Sequence, residues 1–452
     1  INASTFNVPV TIVGGSIAVT QLNAGSNAVT LTARSTDITD GGDAGTDVTG
    51  GTVTLNALSG TIGASGDAIS LVSSGLNTST STSNGNQFLT AAGGGATIGS
   101  PGLNAGSGII TLDSGTVTLG GSDRINNAAD VNVSGGATLA LGTNTETIDQ
   151  LILTDGSVTG SGAGALTGTS TFDVRKGSVS AILGGSVGLT KTTADTVTLS
   201  GANTYTGETA INAGRLDVNG STAAGSAVSV NSTGTLGGTG TMSGTVAAAS
   251  GGTVSPGLSP GVLNTGNLSL VSGSTFQVEA TSTANLDKLV VTGTVSLGNA
   301  TLNVATFGTP VVNDGDEFLI ISNDSTDAVT GTFNLLADGA IVSADFLGSG
   351  KTARISYFAG DGNDVAIVVD RLNTPVTVPN DGNANAVSVV VVGGTVQVIS
   401  DGVVIDAYPL AGITNLTITG VTGQNDTLTV DLTANPDLAN LGTITFNGGG
   451  DT

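Results

Sequence analysis

Short runs in which apolar and polar residues alternate dominate the chain. Examples are TVTL at 52–55, ATLAL at 137–141 and RLDVN at 215–219, each bounded by Gly or Asn. Alternation with a period of two is typical of strands with one buried face, and the flanking residues favour turns. Apolar residues at helical spacing are almost absent, and Gly, Thr, Ser and Asn are too frequent for helix interiors. The pattern therefore predicts an all-β protein.

The strand-like runs recur at a nearly constant interval, measured between the first apolar residues after successive turns. Ile98 lies one such interval before Val117, the first member, and extends the series upstream. A period of about 20 lies at the short end of the range that marks solenoids, whereas an antiparallel sandwich has turns about every 8–12 residues. The members are Val117, Leu139, Val158, Val179, Val197, Leu216, Leu236, Val254, Phe276 and Val295.

The periodicity predicts a parallel β-solenoid with about 20 residues per rung, in which inward Val, Leu and Ile stack on their equivalents in the next rung. Regular repeats predict this solenoid over residues 1–300. Longer apolar strands, such as EFLIIS at 317–322, predict a wider β-rich end over 301–370. Proline residues and turn-forming sequences of the Asn-Gly type predict a linker over 371–385. Residues 386–452 are expected to form a second β-rich module or the start of another solenoid.

The amino-acid composition and net charge of the chain exclude some classes of function. With 38% apolar but only 3% aromatic residues, the chain suits a stack of thin layers. A net charge of −24 with 10 Lys and Arg argues against nucleic acid and against attraction to anionic membranes. The most apolar stretch, 386–399, is too short to span a membrane and is interrupted by Gly393 and Gly394. We therefore expect neither a nucleic-acid partner nor direct membrane insertion.

Catalysis has little support in the sequence. Polysaccharide lyases of β-helical shape need a cationic base beside calcium-binding acids, and glycoside hydrolases need two carboxylates at a set separation. The chain has no His, which excludes Ser-His triads and most zinc sites, and Arg175 and Lys176 are its one adjacent pair of basic residues. Asp is plentiful, so a carboxylate pair stays open on counts alone. We expect no enzyme; the alternative is a carbohydrate-active β-helix enzyme or a glycan-binding module.

Acidic turns are the candidate binding sites. GDGNDVAIV at 360–368 partly fits the calcium nonapeptide, in which Gly turns present carboxylates and carbonyls to Ca²⁺, although Ala359 stands at the first Gly position. At this and the other acidic turns, an Asp-capped turn or a solvated loop is the alternative. The Ca²⁺ candidates are Asp361, Asp364, Asp314, Asp316, Asp324 and Asp327, and a further cluster comprises Asp37, Asp40, Asp43 and Asp47.

Residues 189–220, LTKTTADTVTLSGANTYTGETAINAGRLDVNG, resemble the passenger-associated transport repeat, also called the autotransporter-associated β-strand repeat. The sequence departs from the repeat at Thr193, Asp195 and Glu208, where Gly is more usual. Residues 255–263 and the stretch from 287 to 369 are similar to segments that commonly follow this repeat. The positions that carry the match are Gly201, Asn203, Tyr205, Thr206, Gly207, Asn212, Ala213, Gly214 and Leu216.

The resemblance implies a right-handed parallel β-helix outside a bacterial cell, often an adhesin or a stalk that carries other modules. Residues 386–452 resemble a module repeated in giant bacterial surface proteins. Both ends of the chain stop inside strand-like sequence, and open solenoid edges favour pairing, so we expect head-to-tail self-association or continuation into further modules. The expected function is that of an extracellular structural or adhesive surface protein, a β-helical stalk or fibre-forming subunit without catalysis, with surface glycans as candidate ligands.

Overall fold

The computed structural model describes residues 1–3, 6, 8–324, 326–371, 374–410, 413, 415–432, 434–436, 438 and 441–448. Within these ranges nearly every regular element is a strand, no α-helix occurs, and Phe346–Gly348 forms a 3-10 turn. No helix in this part of the chain is long and apolar enough to cross a membrane. The chain divides into two compact units, Ile1–Thr245 and Val246–Thr452. The all-β prediction is therefore confirmed.

Strands in the two units are mostly short. In the first unit they are Asn2–Ala3, Val10–Gly14, Ile17–Val19, Gln21–Asn23, Val29–Ala33, Ile38–Asp40, Val48–Ala57, Ile69–Ser79, Gln87–Asn104, Ile109–Ser114, Thr116–Leu119, Asp130–Val133, Ala137–Gly142, Thr145–Ile148, Leu151–Leu153, Gly156–Gly160, Ala165–Gly168, Phe172–Val174, Gly177–Val179, Ile182–Gly184, Leu189–Lys191, Thr196–Leu199, Thr209–Ile211, Gly214–Val218, Val228–Val230, Gly234–Gly237 and Thr241–Met242. In the second unit they are Val246–Ala248, Thr253–Val254, Val262–Thr265, Leu268–Leu270, Thr275–Ser282, Asn285–Leu286, Lys288–Val291, Val295–Ser296, Thr301–Thr306, Glu317–Ser322, Ile341–Ser343, Ala353–Ala359, Asp364–Val369, Thr374–Thr377, Ala386–Val392, Thr395–Ser400, Val403–Pro409, Asn415–Thr419, Thr427–Val430 and Thr443–Asn447.

Parallel pairing of successive coils builds the first unit. Val10 pairs with Val29, Val29 with Val53, Val53 with Leu76, and Leu76 with Ile98. The chain thus returns to the same column once in every coil, always in the same direction. Four of these five side chains are fully buried, because strand alternation directs every second residue inward. This arrangement of stacked parallel coils is a β-solenoid, as the periodicity predicts.

The predicted series follows the observed register over much of the first unit. Val117 pairs with Leu139, and Leu139 with Val158. Farther along, Val197 pairs with Leu216. Leu216 in turn pairs with Leu236, and the members of these pairs are at most 1% exposed. The inner column of the solenoid can therefore be identified from the sequence.

At two places the predicted partners are wrong by two positions. Val179 pairs with Leu199 rather than with Val197, and Ile98 pairs with Leu119 rather than with Val117. A shift of two positions leaves the side chains on the same face of a strand. Both choices therefore bury an apolar residue, so spacing alone cannot distinguish them.

Coils of the second unit are longer where an extra hairpin is inserted. Val254 pairs with Phe276 at close to the usual interval, but Phe276 pairs with Leu302, at the end of a longer coil, and not with Val295. The additional residues form an antiparallel hairpin in which Ala280 pairs with Leu286. The predicted step to Val295 is therefore wrong, because a constant period does not allow for a hairpin inside one coil.

Antiparallel strands follow the parallel coils of the second unit. Leu289 pairs with Ile321 in parallel, and Phe318 and Ile355 each pair with Ile367 in antiparallel ladders. Buried aromatic pairs fill this region: the Phe276 and Phe333 rings stack at 5.9 Å, and those of Phe318 and Phe346 meet edge to face at 5.0 Å. These large side chains are buried and contribute more apolar area than aliphatic residues would.

The last β-rich segment has an apolar cluster of its own. Thr374–Thr377, inside the range predicted as a linker, pairs in parallel with Asn415–Thr419, which pairs with Thr443–Asn447. Ala386–Val392 pairs antiparallel with Thr395–Ser400. Inward residues of these strands form a common buried cluster that includes Val376, Val387, Val389, Val396, Val398, Leu416 and Ile418.

Candidate functional site

The acidic loop DGGDAGTD connects strand Ile38–Asp40 to strand Val48–Ala57. Asp40 and Asp43 each fold the chain locally: Gly42 N donates to Asp40 Oδ1 at 2.9 Å, and Gly45 N donates to Asp43 Oδ2 at 3.2 Å. One carboxylate oxygen from each of Asp40, Asp43 and Asp47 lies within 4.8 Å of the other two. The loop therefore gathers three carboxylates that the sequence separates.

Asp47 is the buried member of this group, with an exposed fraction of 0%. Its Oδ2 accepts a hydrogen bond from Ser70 N at 2.7 Å, whereas its Oδ1 is buried and has no hydrogen-bond partner among the described residues. The Ser70 hydroxyl donates to Gly45 O at 2.8 Å and accepts from Asp47 N at 3.1 Å. Ser70 thus attaches the loop to the following coil and fixes the direction of the Asp47 carboxylate.

Burial and neighbouring charge disfavour the ionised form of two carboxylates here, those of Asp47 and Asp67. Burial raises the pKa of Asp47 to about 7, and the nearby charge of Asp40 contributes in the same direction. Desolvation and the charge of Asp40 also raise the pKa of Asp67, which lies on the turn before strand Ile69–Ser79 in the next coil. Uncompensated burial of a carboxylate is costly unless a cation or a proton neutralises it.

Asp37, the remaining residue of the predicted cluster, is engaged elsewhere. Its Oδ1 accepts hydrogen bonds from Thr61 N at 2.6 Å and from Thr61 Oγ1 at 3.1 Å. Asp37 therefore connects its coil to the next one through hydrogen bonds. It is not part of the group formed by Asp40, Asp43 and Asp47.

Asp314 and Asp316 also have local partners. Asp314 Oδ1 forms an ion pair with Lys351 Nζ at 2.5 Å. Asp316 Oδ2 accepts from Asn313 N at 2.7 Å and from Asn313 Nδ2 at 3.3 Å. These contacts hold the loop before strand Glu317–Ser322, and each of the two carboxylates is engaged by a partner of its own.

Asp364 connects the GDGND turn to the loop around Asp324 and Asp327. Asp364 is 5% exposed, and its Oδ1 accepts from Asn323 N at 2.7 Å. Burial raises the pKa of Asp364, with further contributions from the charges of Asp361 and Glu317. Hydrogen bonds from Thr326 lower the pKa of Asp324, which therefore stays ionised. The structure brings four of the six Ca²⁺ candidates into neighbouring turns.

Two asparagines that the sequence analysis missed stand between these aspartates. Asn323 Nδ2 and Asn363 Nδ2 both donate to the carbonyl oxygen of Asp327 at 2.8 Å. The side-chain Oδ1 atoms of Asn323, Asp327 and Asn363 are all buried without a partner among the described residues. Amide oxygens are good Ca²⁺ ligands, and the repeated Asn-Asp dipeptide was the available signal. Ca²⁺ binding at these turns stays a prediction.

A groove lined by Pro101, Asn104, Asp123 and Arg124 bears on the enzyme alternative. It is lined by one carboxylate and one guanidinium, fewer charged groups than the several acids and a base expected of a polysaccharide-cleaving site. Glu146, which is 1% exposed, contacts one of the lining residues: its Oε2 accepts from Arg124 N at 2.7 Å. Burial raises the pKa of Glu146, and the contact holds the neighbouring coil in place.

The segment 189–218 shows why particular residues recur at particular positions of a coil. Asn203 is 3% exposed; its Oδ1 accepts from Leu183 N at 3.0 Å, and its Nδ2 donates to Ser221 O at 3.1 Å. The fully buried Tyr205 ring meets the Phe172 ring edge to face at 6.1 Å. A Cβ on Gly207 would lie 2.5 Å from backbone atoms of the preceding coil. These positions join successive coils.

Residues 189–218 match the family model of the passenger-associated transport repeat. No curated protein matches the chain. The match and the stacked parallel coils together fit an autotransporter-passenger-like repeat protein. The predicted resemblance is thereby confirmed over this segment, where Asn203, Tyr205 and Gly207 have the structural roles described above.

Proposed function

We propose that the protein is an extracellular structural or adhesive component of a bacterial surface, a β-helical stalk or fibre-forming subunit that performs no catalysis. The observation that carries the proposal is the passenger-associated transport repeat at 189–218, set within parallel coils of the same kind. Coils that contact only their neighbours suit a protein that displays repeated surface rather than one that encloses a substrate.

The outward face of the coils supports display as the role. Burial alternates along strands such as Val29–Ala33 and Thr196–Leu199, so that Thr side chains form the outer rows. The net charge of −24 keeps copies in solution apart until specific contacts bring them together. Rows of hydroxyl groups also suit hydrogen bonding to surface glycans, which are the ligand class we propose for an adhesive role.

Antibodies against the chain test the proposed location. Intact cells of the producing bacterium should bind the antibody without permeabilisation, and protease added outside the cells should remove the signal while an internal marker protein survives. A signal that requires permeabilisation, or that survives external protease together with the internal marker, would refute the extracellular location.

Sedimentation velocity over a wide concentration range tests the fibre-forming role. Head-to-tail association through open coil edges predicts that the sedimentation coefficient rises with concentration without reaching a closed oligomer. A monodisperse monomer at the highest concentration would exclude self-association of this chain.

Incubation with bacterial and plant polysaccharides, followed by assays for new reducing ends and unsaturated uronates, tests catalysis; product formation would favour the carbohydrate-active alternative.

A further inference from the structure

We propose that Asp40, Asp43 and Asp47 bind a divalent cation, Ca²⁺, at a loop that Ser70 holds to the next coil of the first unit. The inference goes beyond the proposed surface function and does not depend on it, because it concerns one loop and its ligands.

The spacing of the carboxylates fits one ion of this size. Ca²⁺ binds oxygen ligands at about 2.3–2.6 Å, so two ligands on opposite sides of the ion lie roughly 5 Å apart. The three carboxylate oxygens of Asp40, Asp43 and Asp47 all lie within 4.8 Å of one another. A single cation can therefore contact all three carboxylates.

An independent observation is the unpartnered oxygen of Asp47. The residue is 0% exposed and, among the described residues, Oδ1 has no hydrogen-bond partner, although its other oxygen is held by Ser70 N at 2.7 Å. A buried carboxylate oxygen without a donor calls for a ligand. Asp40 Oδ1 and Asp43 Oδ2 are held in the same way by Gly42 N and Gly45 N. Each of the three carboxylates thus has one oxygen held by a backbone N–H, and the second oxygen of Asp47 is buried without a partner among the described residues.

No basic side chain neutralises this group in the described part of the chain. The five ion pairs found there involve Arg175, Lys176, Arg215, Lys351 and Arg354, none of which contacts the loop. The charge of Asp40 acts on Asp47 and also on Asp67 in the next coil. A bound divalent cation would reduce the repulsion among these carboxylates and favour their ionised form.

The ligand chemistry favours Ca²⁺ over the other common divalent cations. All available ligand atoms are oxygens, since the chain has no His and no Cys, and zinc sites use those residues. Mg²⁺ requires near-ideal octahedral geometry at shorter distances, whereas Ca²⁺ accepts irregular loops with several carboxylates. The loop contains Gly41, Gly42 and Gly45, so it suits the more permissive ion.

Binding would connect the loop to the coil that follows it. Ile38 pairs in parallel with Ile62, and the turn that carries Asp67 comes just after that pairing. Ser70, in the same following coil, already holds Asp47. A cation among these carboxylates would replace repulsion between the two coils by attraction and so stabilise the stack.

Isothermal titration calorimetry of the full chain after removal of metals tests the inference. Titration with CaCl₂ should show binding with a dissociation constant of roughly 10⁻⁴–10⁻³ M, as in extracellular calcium modules, and MgCl₂ should bind more weakly. The Asp47→Asn variant keeps the side-chain shape but should bind at least about 10-fold more weakly at this site. The matched control is Asp37→Asn, which removes a charge beside the loop from a carboxylate bonded to Thr61; it should change the affinity less than about threefold.

Thermal unfolding separates a cation ligand from a purely structural aspartate. Ca²⁺ should raise the melting temperature of the wild type more than that of Asp47→Asn, while the metal-free variant should melt higher than the metal-free wild type because one buried charge is gone. Asp43→Asn, which alters an exposed side chain, gives the same test if the buried substitution prevents folding. Absence of Ca²⁺ binding to the wild type would overturn the inference. So would equal weakening by Asp37→Asn and Asp47→Asn, or equal binding of Mg²⁺.

Discussion

Asn203→Ala removes a side chain that connects three successive coils. In the wild type, Asn203 Oδ1 accepts from Leu183 N at 3.0 Å in the preceding coil, and Nδ2 donates to Ser221 O at 3.1 Å in the following one. The same Nδ2 also donates to Gly201 O at 3.1 Å. Alanine keeps the backbone and supplies none of these contacts.

The cost follows from one buried backbone group that loses its partner, the N–H of Leu183, a residue that is 0% exposed. Ser221 O still accepts from the backbone N of residue 203 at 2.9 Å, so it keeps a partner in the variant. A buried polar group left without a partner costs about 1–3 kcal/mol, so the substitution predicts a loss of about 1–3 kcal/mol of unfolding free energy from this group. The substitution also removes packed atoms, which acts in the same direction.

Urea unfolding followed by far-ultraviolet circular dichroism measures the loss, and amide hydrogen exchange locates it. The Leu183 amide should lose protection selectively, because unfolding in a solenoid can be confined to neighbouring coils. Asn231→Ala is the matched control: its Nδ2 donates to Asn212 Oδ1 at 2.8 Å on the exposed face, and its loss should cost less than about 1 kcal/mol. An Asn203→Ala variant no less stable than this control, with the Leu183 amide still protected, would refute the reasoning.

Three further predictions use the same unfolding assay. Leu216→Ala, in the fully buried inner column, should cost about 2–5 kcal/mol, whereas Thr235→Ala on the outer face should cost less than about 1 kcal/mol; similar costs would contradict the assigned faces. Gly207→Ala places a Cβ 2.5 Å from backbone atoms and should cost about 2 kcal/mol or more, while Gly93→Ala, with open space around it, should change stability by about 0.5 kcal/mol at most. Burial raises the pKa of Glu146 above 4.5, so the folded state binds this proton more tightly and the stability from this group is lost as the pH rises through the folded pKa. The unfolding free energy of the wild type relative to Glu146→Gln should therefore fall as the pH rises above about 4.5, and a difference independent of pH would rule this out.

The alternation of apolar and polar residues and the repeat interval of the strands predicted the fold, because both patterns recur in successive coils. Val197, Leu216 and Leu236 fall on the inner column as expected, and all are buried. The partner of Val179 was wrong because Val197 and Leu199 lie on one face of the same strand and both satisfy the apolar pattern. Register in such a strand is decided by the turns between coils, and their lengths vary without changing the alternation.

Of the residues at the candidate sites, only the aspartates were predicted from the sequence. Asp40, Asp43 and Asp47 were recognised as a cluster from their spacing, but Asp37 belongs to the same run of sequence and instead bonds to Thr61. Whether an aspartate caps a turn or faces its neighbours depends on the coil beneath it, which the local sequence does not encode. Asn323 and Asn363 were not predicted, because their amide oxygens are uncharged and the predicted ligands were all carboxylates.

Parallel stacking explains why the polar sites of this chain lie between coils. Since each coil repeats the path of the one before, a turn lies directly beside the equivalent turn of the next coil, and a polar side chain there meets that turn before it meets solvent. Asp37 reaches Thr61 and Asp47 reaches Ser70 in this way, each one coil farther along the chain. Asn203 reaches Leu183 and Ser221 by the same geometry. A ligand bound at such a turn therefore acts on the contact between coils, which is the contact that holds a solenoid together.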